Sequence, residues 1–148
     1  RDWSSDVCSS DLFWPDRVIE VYVRPAQAVA DVAFALAHEL GHAVDLEHLD
    51  PTGRALWRTT RNLPHDLEWF GASDANDFAT PAGDWAECFA AWQLGPDGFQ
   101  SQLGAAPAPH EGDLIAELSS TYHIRRVAPA AVRGHRDHLP ISRLKPAV

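Results

Sequence analysis

The chain is poor in sulfur-containing and basic residues. Its 148 residues include two cysteines, Cys8 and Cys88, and no methionine. Two cysteines are too few for a disulfide scaffold or a cysteine-rich zinc ribbon. The chain has 12 lysine and arginine residues and 21 aspartate and glutamate residues, which gives a net charge of -9. This charge disfavours a general nucleic-acid binder, whose affinity depends mainly on basic residues that contact phosphates.

The sequence also lacks any apolar run of the roughly 20 residues that a membrane helix needs. Its composition is 45% hydrophobic and 22% charged, as in ordinary globular proteins, and its length suits a single domain. We therefore expect one globular domain with no membrane segment and with no nucleic acid among its partners.

The two ends of the chain differ in character from its middle. Residues 1–12, RDWSSDVCSSDL, resemble a common sequencing-library adaptor translated in one frame. The lack of an initiator methionine agrees with a truncated metagenomic open reading frame, so we expect residues 1–12 to be an adaptor-derived artefact. Any signal peptide or anchor would then have preceded this segment, so the sequence assigns no compartment. Residues 124–148 carry six basic residues and one acidic residue and form a basic, proline-containing tail after a domain at residues 13–123.

Hydrophobic periodicity predicts one strand followed by several helices. Residues 18–23 are β-branched and aromatic, and they end at Arg24-Pro25, as is typical of a strand. Apolar residues at helical spacing then continue from residue 26 to about residue 48. Shorter helices are predicted at residues 55–61, 81–94 and 111–122. The pattern predicts an α+β chain that is mostly helical, with a small β-sheet that truncation would have shortened.

The strongest chemical signal is His38-Glu39-Leu40-Gly41-His42, an HExxH motif in the first predicted helix. Histidines four residues apart lie on one face of a helix, one turn from each other, so both imidazoles can bind one Zn²⁺. The glutamate between them can take a proton from a metal-bound water. The motif therefore predicts a zinc site with Glu39 as the general base.

A hydrolytic zinc site normally has three protein ligands and one open position, and the sequence offers three candidates for the third ligand. His48 gives the spacing HExxHxxDxxH, which is close to that of metzincins. However, Asp45 replaces their turning glycine, and the chain has no methionine for a Met-turn. Glu87 lies on the next long predicted helix, where a glutamate ligand would give the gluzincin arrangement. Asp84 lies one turn before Glu87 and can equally be a charge at the helix start.

The order and spacing of two motifs favour Glu87. The string HELGHAVD from His38 is followed by AECFA from Ala86, and this pair resembles the zinc-protease domain of anthrax lethal-factor-type toxins and related small bacterial gluzincins. The resemblance covers roughly residues 29–94. It implies a zincin-like fold and one zinc ion per chain. It also implies His38, His42 and Glu87 as metal ligands and Glu39 as the general base.

The chain departs from the family pattern at the oxyanion donor. The toxin-type proteases carry a tyrosine shortly before the glutamate ligand, and this chain has Thr80 there. The candidate donors in its place are Tyr22, His65, Tyr122 and His123. Asp45 and Asp84 are candidates for orienting a ligand imidazole by hydrogen bonding to it.

These residues predict a zinc metallopeptidase that acts on a peptide or protein substrate. Zn²⁺ would lower the pKa of its bound water, and Glu39 would accept the proton and pass it to the leaving amine. Two alternatives from other classes stay open. A zinc-binding but catalytically silent interaction or sensor domain predicts metal without hydrolysis that depends on Glu39. A helical domain with a fortuitous HExxH predicts no stoichiometric metal.

Overall fold

The computed structural model describes residues 10–13, 18–72 and 74–120. Strand β1 (Ser10–Phe13) pairs antiparallel with β2 (Val18–Val21). The helices of these ranges are α1 (Val29–His48), α2 (Pro51–Arg61), α3 (Pro81–Leu94) and α4 (Pro109–Leu118), and a 3₁₀ turn (Asp77–Ala79) precedes α3. Within the described part of the chain, every helix is too short or too polar to cross a membrane.

The prediction of a mostly helical chain is confirmed, and most element bounds differ by only a few residues. Strand β2 ends at Val21 instead of residue 23, and α3 has its predicted bounds. Helix α2 begins earlier than predicted because the Asp50 carboxylate accepts a hydrogen bond from the Gly53 N–H at 2.8 Å. Pro51 then occupies the first helical position, where no N–H is required. The last predicted helix, residues 111–122, is observed as Pro109–Leu118, and residues 121–122 lie outside the described ranges.

Helices α1 and α3 cross at close range in the centre of the fold. A Cβ atom added at Gly41 would lie 2.8 Å from the Cα of Ala86, so a larger residue would push the two helices apart. The Trp85 indole donates a hydrogen bond to the Gly41 carbonyl oxygen at 2.9 Å across the same crossing. Residues 81–91 are all buried, which makes α3 the central helix. The crossing brings the HExxH face of α1 next to Glu87.

The remaining core is aromatic and encloses a polar network. Trp57 of α2 packs edge-on against Trp85, with ring centroids 5.0 Å apart. The fully buried Asp84 accepts two hydrogen bonds from the Arg61 guanidinium, at 2.7 and 3.0 Å. Arg61 also contacts the Glu111 carboxylate at 3.2 Å. This network joins α2, α3 and α4 and keeps the buried charges paired.

The described parts of the connector between α2 and α3 (residues 62–72 and 74–80) are fixed to the helices at several points. Arg58 donates hydrogen bonds to the carbonyl oxygens of Pro64 and Leu67, at 2.8 and 2.6 Å. The Trp69 carbonyl oxygen accepts a hydrogen bond from the Ala82 N–H at 2.9 Å. The connector therefore delivers the 3₁₀ turn to the first turn of α3, beside the HExxH helix.

Candidate metal centre

Three side chains with metal-ligating atoms meet between α1 and the 3₁₀ turn: His38, His42 and Asp77. His38 Nε2 lies 3.1 Å from His42 Nε2 and 2.9 Å from Asp77 Oδ2, and His42 Nε2 lies 3.1 Å from the same oxygen. The ligand atoms of a tetrahedral zinc site are about 3.4 Å apart, because each lies about 2.1 Å from the metal. The observed triangle is slightly smaller than this, so the three residues could hold a metal ion after a small expansion.

The centre is closed on the histidine side and open on the aspartate side. The rings of His38 and His42 are one helical turn apart, with centroids separated by 4.8 Å and planes inclined at 80°. Their side chains are 10% and 16% exposed, whereas the side chain of Asp77 is 44% exposed. Glu39, the general base of the prediction, is buried on the same helix. Of the three side chains, that of Asp77 is therefore the most accessible to solvent.

Asp77 is the site residue that sequence reasoning missed, because it lies in the connector and belongs to no motif. Its 3₁₀ turn begins at Asn76, whose side chain accepts a hydrogen bond from the Phe78 N–H at 3.2 Å. The turn packs directly on Gly83, where an added Cβ would lie 1.9 Å from the Asp77 carbonyl oxygen. A cap residue and a glycine in the first turn of a helix were the available signals. Neither signal indicates which side chain the turn brings to the histidines.

Glu87 contacts the other ring nitrogen of His38. Its Oε1 lies 2.8 Å from His38 Nδ1, and its Oε2 accepts a hydrogen bond from the backbone N–H of Gln100. A carboxylate on Nδ1 favours the tautomer whose Nε2 lone pair is available to a metal. In the described part of the chain, the group of candidate ligand atoms includes Asp77 and not Glu87. Ligation by Glu87 stays a prediction.

Asp45 and Asp84, predicted to orient a ligand imidazole, both link helices to other elements. The fully buried Asp45 accepts hydrogen bonds from Arg54 at 2.9 Å and from the Trp69 indole at 2.7 Å. Burial raises the pKa of Asp45, while Trp69, Arg54 and the nearby His42 act in the opposite direction. Asp45 thus connects α1 to α2 and to the connector, and Asp84 belongs to the Arg61 network of the core.

The remaining predicted residues lie apart from the three ligand atoms. His48 occupies the last turn of α1 and is not in the group of candidate ligands that the described residues form. Thr80, at the position of the expected tyrosine, caps α3. Its hydroxyl accepts a hydrogen bond from the Gly83 N–H and donates one to the Asp77 carbonyl oxygen, both at 2.9 Å. Of the candidate oxyanion donors, Tyr122 and His123 lie outside the described residues. The Tyr22 hydroxyl donates a hydrogen bond to the Glu20 carboxylate at 2.9 Å, and His65 is exposed in the connector.

Comparisons with known proteins do not place this chain in a family. No protein-family model matches it, and neither a curated protein nor a solved structure does. The resemblance to lethal-factor-type gluzincins therefore stays a prediction that depends on the two motifs. The independent evidence for function is the geometry of the centre itself.

Two carboxylates hold His38 in its charged form when no metal is bound. Burial alone lowers the pKa of His38, but the hydrogen bonds and charges of Asp77 and Glu87 outweigh it and raise the pKa to about 9. Burial likewise acts to raise the pKa of Asp77, but His38 and His42 bring it far below its usual value. Both carboxylates therefore favour the charged form of the His38 imidazole.

The metal-free protein should lose stability as the pH rises toward about 9. The pKa of His38 is about 9 in the folded chain and roughly 6.5 in an unfolded chain. The stabilising contribution of the charged His38 is therefore complete below about pH 6.5. The contribution is lost as the pH passes the folded pKa. Urea unfolding of chelator-treated protein between pH 6 and about pH 9 measures this slope. His38→Gln should flatten it, whereas His110→Gln, at an exposed position on α4, should leave it unchanged. An unchanged slope in His38→Gln would assign the pH dependence to another group.

Proposed function

We propose that the protein is a zinc-dependent metallopeptidase whose metal ion is held by His38, His42 and Asp77. The observation that carries the proposal is the triangle of two Nε2 atoms and one Oδ2 atom on the HExxH face of α1. Two histidines and one carboxylate are a common ligand set of catalytic zinc sites, which keep the fourth position open. The half-exposed carboxylate of Asp77 leaves the centre accessible on one side, as a substrate would require.

Each residue of the centre has a distinct part in this proposal. A bound Zn²⁺ would supply a water of lowered pKa and a positive charge next to the scissile carbonyl. Glu39 would accept a proton at its carboxylate and return it to the leaving amine. Glu87 would hold the His38 ring in place through Nδ1. The zincin-like fold belongs to the same proposal, which is supported by the order of strand β2, HExxH helix α1 and crossing helix α3.

A second candidate function is that of a zinc-binding domain without hydrolytic activity. The observation in its favour is Thr80, which stands where the family resemblance implies an oxyanion-stabilising tyrosine. Its hydroxyl is engaged in the cap of α3 and in the bond to the Asp77 carbonyl. Removing one oxyanion donor lowers the rate of other hydrolases by about 10²–10³-fold. The two candidate functions share the metal site and differ in hydrolysis that depends on Glu39.

Elemental mass spectrometry of the purified chain tests the metal site. We expect about one zinc per chain in the wild type and in His48→Ala, because three ligands and an open position form one site. Asp77→Asn, which keeps the shape of the side chain and removes its charge, should lower the zinc content, and Asp77→Ala should remove it. Glu87→Gln should bind zinc roughly 10–100-fold more weakly, as expected for a residue that orients a ligand.

Other outcomes of the same measurement would reassign the third ligand or remove the site. Zinc retained in Asp77→Ala and absent from Glu87→Ala would give the gluzincin ligand set that the motifs imply. Zinc absent from His48→Ala would indicate a metzincin-like site. A wild-type chain that contains no zinc after refolding with added metal would overturn the proposal.

A further inference from the structure

A short segment after α3 has two backbone donors that support the outer side of the candidate metal centre. It is segment 100–102, which comprises Gln100, Ser101 and Gln102. The backbone N–H of Gln100 donates a hydrogen bond to Oε2 of Glu87. The backbone N–H of Gln102 donates one to the carbonyl oxygen of Phe78 at 2.8 Å. The segment thus contacts Glu87, which contacts His38, and Phe78, which directly follows Asp77.

We propose that Gln100 and Gln102, the outer residues of segment 100–102, position the metal centre through their backbone N–H groups. The N–H of Gln100 holds Glu87 against His38, and the N–H of Gln102 holds the 3₁₀ turn so that Asp77 stays within reach of both histidines. This inference rests on the proposed function, since it takes His38, His42 and Asp77 as metal ligands.

The first contact fixes the orientation of the Glu87 carboxylate. Glu87 is 1% exposed, and its two oxygens have different partners, His38 Nδ1 for one and the Gln100 N–H for the other. Rotation of the Glu87 carboxylate would leave the buried Nδ1 of His38 without its hydrogen-bond partner, which is unfavourable. A carboxylate held at both oxygens therefore determines the orientation of the His38 ring and of its Nε2.

The second contact fixes the position of the 3₁₀ turn. Phe78 directly follows Asp77 in the turn, and its ring packs edge-on against the His38 ring with centroids 5.8 Å apart. A shift of the Phe78 backbone would therefore move the Asp77 carboxylate and disturb the packing of a ligand histidine. The hydrogen bond from the Gln102 N–H to the Phe78 carbonyl oxygen opposes such a shift.

The turn before the segment lies against the HExxH helix. Gly98 has a φ of +100°, and a Cβ added there would lie 3.2 Å from the ring of the buried Phe34 of α1. The Phe99 N–H donates a hydrogen bond to the Pro96 carbonyl oxygen at 3.0 Å and closes the turn. The segment is thus anchored close to the helix that carries the two histidines, as a positioning element must be.

Ser101 provides an internal control because it lies between the two donors but serves another network. Its hydroxyl donates a hydrogen bond to Asp84 at 2.6 Å, and Asp84 is paired with Arg61 in the core. Loss of this bond should lower the stability of the chain without changing the metal centre. Both glutamine side chains are exposed, so the proposed positioning depends on backbone N–H groups alone.

Substitution by proline and by alanine separates the backbone donor from the side chain. In the full chain, Gln100→Pro and Gln102→Pro should each weaken zinc binding roughly 10–100-fold, the usual effect of losing an outer partner of a metal ligand. Gln100→Ala and Gln102→Ala keep the N–H and should bind zinc like the wild type. Ser101→Ala should unfold at a lower urea concentration and keep wild-type zinc affinity. Competition with a chromophoric chelator measures the affinities, and the absorption spectrum of the Co²⁺-substituted protein reports ligand geometry.

Amide hydrogen exchange of the wild type keeps the inference testable if the proline variants fail to fold. Coupling between two sites is reciprocal, so zinc should slow exchange at the Gln100 and Gln102 amides by roughly 10-fold or more. The Ser101 amide serves as the internal reference. Unchanged exchange at both glutamine amides would overturn the inference and leave the metal site intact. Proline variants with wild-type zinc affinity would also overturn the inference and leave the metal site intact. A wild-type chain that binds no zinc would overturn the proposed function and this inference together.

Discussion

Glu39→Gln should greatly lower the rate of peptide hydrolysis while the protein keeps its zinc. Glutamine has nearly the same size as glutamate, so α1 and the two histidines beside it should keep their positions. The amide cannot accept the proton that hydrolysis transfers, and a positioned general base typically contributes about 10²–10⁴-fold to the rate. We therefore expect kcat/KM to fall by roughly that factor. The peptidase and the silent zinc-binding domain predict the same metal content. This variant separates them, because only the peptidase predicts hydrolysis that depends on Glu39.

Digestion of a peptide library followed by mass spectrometry measures this effect for a substrate of any sequence. Glu117→Gln, the same substitution at an exposed position of α4, is the matched control and should leave cleavage unchanged. Cleavage by Glu39→Gln at the wild-type rate would exclude Glu39 as the base. A wild-type chain that binds zinc but cleaves no peptide would identify the silent domain instead.

Asp84→Ala should be the most destabilising single substitution among the polar residues of the core. Asp84 is fully buried and holds the Arg61 guanidinium with two hydrogen bonds, at 2.7 and 3.0 Å. Burial alone would lower the pKa of Arg61, but its carboxylate partners raise it above its usual value, so the cation stays in the core. Removing one member of a buried ion pair leaves a charge without its partner and costs about 3–5 kcal/mol. The free energy of unfolding in urea measures the loss.

Two companion variants assign the Asp84 effect to the ion pair. Asp84→Asn keeps the shape and should lose somewhat less stability, because the amide oxygen still accepts one hydrogen bond. Asp113→Ala, at an exposed position of α4, should change stability by less than about 0.5 kcal/mol. Asp84→Ala refolded at low temperature should still bind zinc, whereas loss of zinc from a folded variant would restore Asp84 as a metal ligand.

The local structure of the chain follows from the sequence because its signals are local. Thr80 and Pro81 are a cap residue and a first-turn proline, and the observed α3 begins there, with the Thr80 hydroxyl accepting from the Gly83 N–H. Apolar residues at helical spacing predict α1, and the HExxH spacing places His38 and His42 on one face of it. Their Nε2 atoms lie 3.1 Å apart. These features depend on residues within one or two helical turns, which a sequence displays directly.

The tertiary structure decided which other side chains reach the two histidines. Asp77 is 39 residues from His38 and Glu87 is 49 residues from it, and no local pattern relates such distant positions. The motif predicts Glu87 near the site, but the side of the His38 ring that it contacts depends on the α1–α3 crossing at Gly41. Asp77 is brought in by a turn that packs on Gly83, where any side chain would occupy the space of the turn. Local propensities fix where helices begin and end, whereas the packing of one element on another fixes which atoms meet.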